Sequence, residues 1–309
     1  MERPDRSAES STSSRRLVLN PTSGRGEHVA DARRRADEYG FSVVETDHRG
    51  HATELAQAAV DDGVDTLAVC GGDGTLHEVV VGLDECGGLE DVTVCVVPAG
   101  TENFLAGDLG IDSMEAGFEV AVDGERRRLD LGVANDEPFV LSAVLGLPAD
   151  ASAAATHDLK KTYGPLAFLV AGVREGLAFD ALSVSIDAHE PTGEETWSGD
   201  AIAVLVGNVR GFAKDGGQAN AEDGRLDVTV VESMPAHDAI TEAIEQRLLN
   251  WDTDHVRELQ ATSFDVAVRD GATNCSLDGE IESVEQAHFD VRPSALAVAV
   301  GDGYDPAPD

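Results

Sequence analysis

Short apolar runs alternate with stretches whose apolar residues recur at helical spacing through the first third of the chain. Arg16 to Asn20 and Phe41 to Thr46 have the length of strands. Between them Val29, Ala32, Ala36 and Tyr39 follow three- and four-residue steps, and Gly40 ends that helix. Ala52 to Val60 predicts a second helix, Thr66 to Cys70 a third strand and Val92 to Val97 a fourth. The third strand stops at Gly71-Gly72-Asp73-Gly74, and Thr75 is placed to cap a helix running through Val79, Val80 and Leu83. Short helices are expected around Phe104–Asp108 and Met114–Val122. Strands apolar on both faces, separated by helices, predict a parallel sheet covered on both sides.

Past Arg126-Arg127-Arg128 the texture changes. Leu129–Ala134 and Phe139–Leu147 read as strands, and Ala151 to Leu177 as one helical region. Strand patterns then dominate at Leu182–Asp187, Ala201–Val206, Leu226–Val231, Phe264–Arg269 and Ala295–Val300, with one more helix at His237–Leu249. The expected fold class is α/β + β. A polar tail at 1–14 precedes a three-layer α/β domain at 15–128, and an antiparallel β-sandwich domain follows at 129–303.

Composition narrows the function. At 309 residues and 42% hydrophobic the chain can bury substantial cores. No run approaches the roughly 18–20 apolar residues of a membrane span, and the polar start has no secretory pattern. Four cysteines show no metal spacing, and Cys70 and Cys95 sit in strand runs as buried thiols would. The formal charge is -37, with acids spread along the chain and lysine only at 160, 161 and 214. A folded domain this acidic fits a solvent of molar salt, where charges are screened within about 3 Å. The expectation is a cytoplasmic protein of an extreme halophile that binds no nucleic acid.

Three of the first four strands end in loops rich in Gly, Ser, Thr or Asn: Pro21–Gly26, Gly71–Thr75 and Pro98–Asn103. In an open parallel sheet those ends form one crevice. Glycines let backbone approach an anion, and a helix start offers free N–H groups. Asp73 needs a further reason there: holding a cation, orienting a donor or accepting a proton. Arg25 is either a cation of the crevice or a free surface residue. Ser276-Leu277-Asp278-Gly279-Glu280 is either a solvated turn or a proton acceptor. Asn220-Ala221-Glu222-Asp223-Gly224-Arg225 is either a bare turn or a hard-cation site. Arg126–Arg128 and Lys160-Lys161 read as solvated edges or as contacts to an anionic headgroup. No Gly-x-Ser-x-Gly elbow and no Gly-x-x-x-x-Gly-Lys-Ser/Thr loop is present.

These motifs, in this order, resemble the diacylglycerol kinase catalytic-domain family of bacterial lipid kinases and sphingosine kinases, distantly related to NAD kinases. Asn20-Pro21-Thr22-Ser23-Gly24, Gly71-Gly72-Asp73-Gly74-Thr75 with Glu78-Val79, Pro98 to Asn103, Leu277-Asp278-Gly279-Glu280 and Asp223-Gly224 carry the resemblance. It implies a nucleotide-binding domain, a β-sandwich, and transfer of the γ-phosphoryl group of ATP to a lipid hydroxyl. The implied nucleotide site is Asn20, Ser23, Gly24, Arg25, Thr46, Gly71, Gly72, Asp73, Gly74, Thr75, Gly100, Thr101 and Asn103. Asp278 is the implied base, with Glu280 the alternative, and Asp73 acts beside the phosphates and Mg²⁺. Asn220, Asp223 and Arg225 are the implied structural Mg²⁺ ligands. The implied partners are ATP and a lipid alcohol such as diacylglycerol or an archaeal ether lipid. Transient contact with the inner membrane face goes with them, and a homodimer is compatible. The alternatives are a NAD-kinase-like enzyme with a soluble acceptor and a non-catalytic nucleotide-binding protein. The family usually has Asn where this chain has His77, and Gly and Asp at the positions of Glu102 and Phe104.

Overall fold

The computed structural model describes residues 14–24, 26–101, 103–146, 182–190, 193–212, 218–233, 256–268 and 271–308, with backbone alone at 187–190 and 193–195. The helices expected at Ala151–Leu177 and His237–Leu249, the polar tail up to residue 13, Lys160, Lys161 and Lys214 lie outside the described residues.

The first lobe alternates β1 (Arg15–Leu19), α1 (Val29–Glu38), β2 (Ser42–Glu45), α2 (His51–Asp61), β3 (Thr66–Gly71), α3 (Asp73–Glu85), β4 (Thr93–Pro98), α4 (Phe104–Asp108) and α5 (Met114–Asp123). The second lobe holds β5 (Glu125–Ala134), β6 (Glu137–Phe139), β7 (Ser142–Leu145), β8 (Leu182–Glu190), β9 (Gly193–Gly207) and β10 (Leu226–Glu232). It continues with β11 (Val256–Ala261), β12 (Ser263–Val268), β13 (Thr273–Leu277), β14 (Glu280–Val284) and β15 (Gln286–Val300).

Strands β2, β1, β3 and β4 pair in parallel in that order. Alternate side chains serve two cores. Leu17, Leu19, Ala68, Cys70, Cys95 and Val97 pack with Ala32, Ala36 and Phe118 of α1 and α5. Val18, Leu67, Val69, Val94 and Val96 pack with Ala56, Val79 and Leu83 of α2 and α3. This two-sided burial is why the strands are apolar throughout. The second lobe is antiparallel sheet around a separate core in which Phe264 and Phe289 stack at 4.7 Å and Phe139 meets Phe289 edge-on. The expected α/β domain followed by an antiparallel β-sandwich is the fold observed.

Two long strands join the lobes. One end of β15 pairs with β5 from Leu296↔Leu129 to Val300↔Glu125 and lies parallel to β4 at Val298↔Val94. The other end pairs with β5 from Phe289↔Ala134 to Arg292↔Leu131 and with β12. The register shifts between Arg292 and Leu296, where Ser294 takes φ 52. Asp130, 1% exposed, holds this bend by accepting the Ser294 N–H at 2.7 Å and the Gly224 N–H at 2.6 Å. Arg128, the expected boundary, lies inside β5. The arginines there are structural. Arg126 donates to the Ala121 carbonyl, Arg127 pairs with Glu222, and Arg128 donates to the Glu90 carbonyl.

Several strands escape the apolar pattern. β11 presents polar residues at its exposed positions, the outer part of β15 does much the same, and β14 mixes an exposed Ile281 with Glu282 and Ser283. Phe139–Leu147, expected as one strand, breaks into β6 and β7 because the N–H groups of Val140 and Leu141 turn to a carboxylate instead of a ladder. No helix among the described residues is long and apolar enough to cross a membrane.

Asp130→Ala leaves two part-buried N–H groups without their acceptor at the joint. We expect a loss of about 3 kcal/mol of unfolding free energy, read from denaturant melts in molar KCl; a loss below about 0.5 kcal/mol would contradict this role for the bend.

Candidate active site between the two lobes

The first parallel strands deliver their loops to the start of α3. The sequence places Thr75 as its cap, but the cap position is Gly72, in extended backbone with no side-chain cap. Thr75 sits one turn in, and its Oγ1 accepts from Asn20 Nδ2 at 2.8 Å. Asn20 Oδ1 in turn accepts the Thr22 N–H at 3.0 Å, so the first loop and the helix start are tied together. The third loop closes against them. A Cβ on Gly100 would lie 2.6 Å from Gly72 Cα, and a Cβ on Gly24 would lie 2.8 Å from the Ala99 oxygen. These glycines are needed for backbone contact.

The acids of this motif bind main-chain N–H groups. Asp73 accepts from Phe104 N at 3.1 Å and Leu105 N at 3.2 Å, so it caps α4 from across the site. Burial raises its pKa, and those two N–H groups oppose the shift. Glu78 accepts from Gly50 N at 2.9 Å and Ala52 N at 3.3 Å and so fixes the start of α2. One helical turn of α3 thus positions the loops after β2 and β4.

From the second lobe, the β13–β14 hairpin brings Asp278 to α3. Asp278 has φ 50 and Gly279 φ 100, the mirror-image turn that Asp-Gly favours. The Asp278 carboxylate accepts from Val140 N at 2.7 Å, Leu141 N at 2.8 Å and Ser142 N at 3.0 Å. His77 Nδ1 lies 3.3 Å from Asp278 Oδ2, and His77 Nε2 lies 3.4 Å from Glu137 Oε1. The His77 side chain is 5% exposed and the Asp278 side chain 3%. Burial disfavours a charged His77, but the Asp278 hydrogen bond and the fields of Asp278 and Glu137 outweigh it and raise the pKa. Glu280 sits nearer solvent, paired with Arg49 across the lobes.

A cleft of about 810 Å³ opens beside the start of α3. Asn20, Ser23, Gly24, Thr46, Gly72, Gly74, Thr75, Gly100 and Thr101 all line it, from three loops and the end of β2. Pro21, Thr22, Glu45, Asp47, His48, Arg49 and Glu78 complete the wall; the sequence reading named Glu78 only as part of a motif and left out Glu45, Asp47, His48 and Arg49. Gly71 lies beneath, its carbonyl accepting from Ala99 and Gly100. Asn103 is turned inward, with its side-chain amide bonded to both main-chain groups of Gly100. Arg25 and Glu102 lie outside the described residues.

The Asn220–Arg225 turn stands apart from this cleft. Asn220 Oδ1 accepts the Glu222 N–H and Asp223 Oδ1 accepts the Arg225 N–H, each at 3.0 Å. Burial raises the Asp223 pKa, and Asp227 and Asp130 raise it further. A carboxylate among other acids is a place where a hard cation relieves repulsion. The Arg225 side chain goes to Gln260, which leaves only its main-chain oxygen for such an ion.

Residues 15–134 match the diacylglycerol kinase catalytic domain, and residues 142–300 match the YegS C-terminal NAD kinase beta sandwich-like domain. The chain belongs to the diacylglycerol kinase family. It is therefore an enzyme of a family of phosphotransferases with an alcohol acceptor. The lipid kinase YegS of Escherichia coli K12 is 27% identical over 91% of this chain and 93% of its own length. A diacylglycerol kinase of Staphylococcus epidermidis RP62A is 30% identical over 70% of each chain. The crystal structure of a diacylglycerol kinase from Bacillus anthracis Sterne superposes with a TM-score of 0.70 at 17% identity. That match covers 95% of this chain and 98% of the other, and it shows the shared fold. Within the family frame, His77 stands at the meeting of the lobes, where it bridges two carboxylates.

Gly100→Ala drives a methyl group into the Gly72 backbone. We expect a loss of about 1–3 kcal/mol in stability together with lost nucleotide binding, read by melts and calorimetry; unchanged binding would mean that the loops need no such contact.

The raised His77 pKa gives a second expectation. A charged His77 stabilises the fold fully below its ordinary value of about 6.5. That stability is lost as the pH rises through the raised folded value. The stability gap between wild type and His77→Asn should therefore shrink from pH 6 to pH 9 in parallel melts, and a gap that is flat or widens with pH would contradict the assignment.

Proposed function

We propose that this enzyme is an ATP-dependent lipid kinase that moves the γ-phosphoryl group of ATP to the hydroxyl of a lipid alcohol, diacylglycerol or an ether-linked counterpart. The observation that carries the reading is the convergence of three strand-end loops and a helix start on one cleft, with Asp278 directed to the same helix from the other lobe. Glycine backbone and the start of α3 suit a triphosphate. Phosphoryl transfer needs positioning and charge neutralisation more than covalent chemistry.

In the transfer, the acceptor oxygen forms a bond to the γ-phosphorus, the bond to the bridging oxygen breaks, and ADP leaves. The hydroxyl proton goes to Asp278. Its three main-chain donors hold the carboxylate in place, and the 3.3 Å contact to His77 is the longest of its contacts and the one a hydroxyl can displace. Mg²⁺ bound with the nucleotide supplies neutralising charge that so acidic a chain otherwise lacks. Asn220, Asp223 and the Arg225 main-chain oxygen would hold a second, structural Mg²⁺. The relatives, a lipid kinase and a diacylglycerol kinase, support the lipid acceptor. Without a membrane-crossing helix among the described residues, lipid would be drawn from a transient encounter with a membrane surface.

The test uses labelled ATP, Mg²⁺ and a total lipid extract in molar KCl. Label should appear in the organic phase and fall by about 10²–10⁴ in Asp278→Asn, while Glu280→Gln keeps activity within about tenfold. Label confined to a water-soluble product, or full activity in Asp278→Asn, would overturn the reading.

A further inference from the structure

Arg210 follows β9 and is carried between two rings. Its guanidinium carbon lies 4.2 Å above the Phe104 ring centroid and 5.8 Å from that of Phe212. Phe104 opens α4, and its N–H is one of the two that Asp73 holds. The Arg210 main-chain N–H donates to the Leu141 oxygen at 3.2 Å, and the Leu141 N–H holds Asp278 Oδ1 at 2.8 Å. Arg210 is therefore fixed from one side to the residue that Asp73 orients and from the other to the cradle of Asp278.

Every other arginine among the described residues donates a side-chain hydrogen bond, to a carboxylate, a carbonyl or Gln260. The Arg210 guanidinium makes none with a described residue. Asp108 and Asp73 act on it through their fields alone. A guanidinium presents five N–H donors in a planar fork suited to phosphate oxygens. Stacked on aromatic rings, partly buried and with no hydrogen-bond partner among the described residues, the fork is chemically suited to an anion.

We infer that Arg210 completes an oxyanion subsite between the lobes and grips a phosphate of the substrates: the terminal phosphoryl group of the nucleotide or a phosphate carried by the lipid. The inference rests on the phosphotransfer reading of this cleft and adds a residue to it. It fits the local charge. Burial pushes the Asp108 carboxyl up to about 7, so at neutral pH that acid only partly offsets the guanidinium.

The experiment compares wild type, Arg210→Gln and Arg210→Lys in molar KCl with Mg²⁺. Calorimetry measures binding of ADP and of a non-hydrolysable ATP analogue. Transfer is assayed on micelles of dioleoylglycerol and of lysophosphatidate. If the nucleotide supplies the phosphate, Arg210→Gln weakens the triphosphate at least about tenfold more than ADP, and Lys keeps part of the preference. If the lipid supplies it, nucleotide binding is unchanged and KM rises about tenfold for lysophosphatidate but not for dioleoylglycerol. Equal weakening of all four ligands, or none, overturns the inference. Should Gln fail to fold by circular dichroism, Lys carries the test, with the same selective pattern expected at smaller size and its absence counting against the subsite. The nucleotide arm needs no acceptor, so a wild type that transfers nothing sinks the kinase reading while Arg210 is still tested.

Discussion

Buried carboxylates answered by main-chain N–H groups are the constraint on which this structure depends. The chain has 59 acidic residues against 22 Lys and Arg, so its interior acids cannot all be neutralised by cations. Asp73, Glu78, Asp130 and Asp278 instead accept nine main-chain N–H bonds from loops and helix starts. Each arrangement satisfies donors that a helix end or a strand break would leave orphaned. Removing one such acid strands two or three N–H groups at once, which costs more than losing a surface ion pair.

The same device assembles the site. Asp73 and Glu78 lie five positions apart near the start of one helix and pin the loops on either side of it. Asp130 holds the bend of β15, the strand that runs through both lobes. Asp278 closes the arrangement from the second lobe. Its carboxylate interrupts what would have been one strand and turns three N–H groups inward. The lobes therefore meet through a network of fixed geometry beside a cleft, with His77 and Arg210 held where the lobes meet and Arg49 lining the cleft itself. Scarcity of cations makes each one informative. An arginine whose guanidinium finds no hydrogen-bond partner among the described residues stands out in so acidic a chain.

The parallel half was legible because its strands are buried on both faces and its glycines sit at strand ends. The loops at Asn20–Gly24, Gly71–Thr75 and Gly100–Thr101 reach the cleft through local rules of turn and helix start. Other features were hidden because they depend on partners far away in the chain. No spacing places Asp278 against Val140 across 138 residues, and nothing local turns Asp73 toward Phe104 rather than toward solvent. Strands β11, β13 and β14 alternate with polar faces too short for a clear period. Thr75 looked like a cap by residue type, yet Gly72 takes that position and the Thr75 hydroxyl accepts from the distant Asn20 instead. Arg210 carries no motif at all, and only its two rings and its unused donors mark it.

The most direct measurement of the central claim is a crystal structure grown in molar KCl with Mg²⁺ and a non-hydrolysable ATP analogue. The account predicts a triphosphate lying along Gly72–Thr75 and Gly100–Thr101, its terminal phosphate facing Asp278, with the main-chain bonds of Asp73, Glu78 and Asp278 unchanged. A triphosphate bound elsewhere, or an Asp278 carboxylate swung out of its three N–H groups, would contradict it.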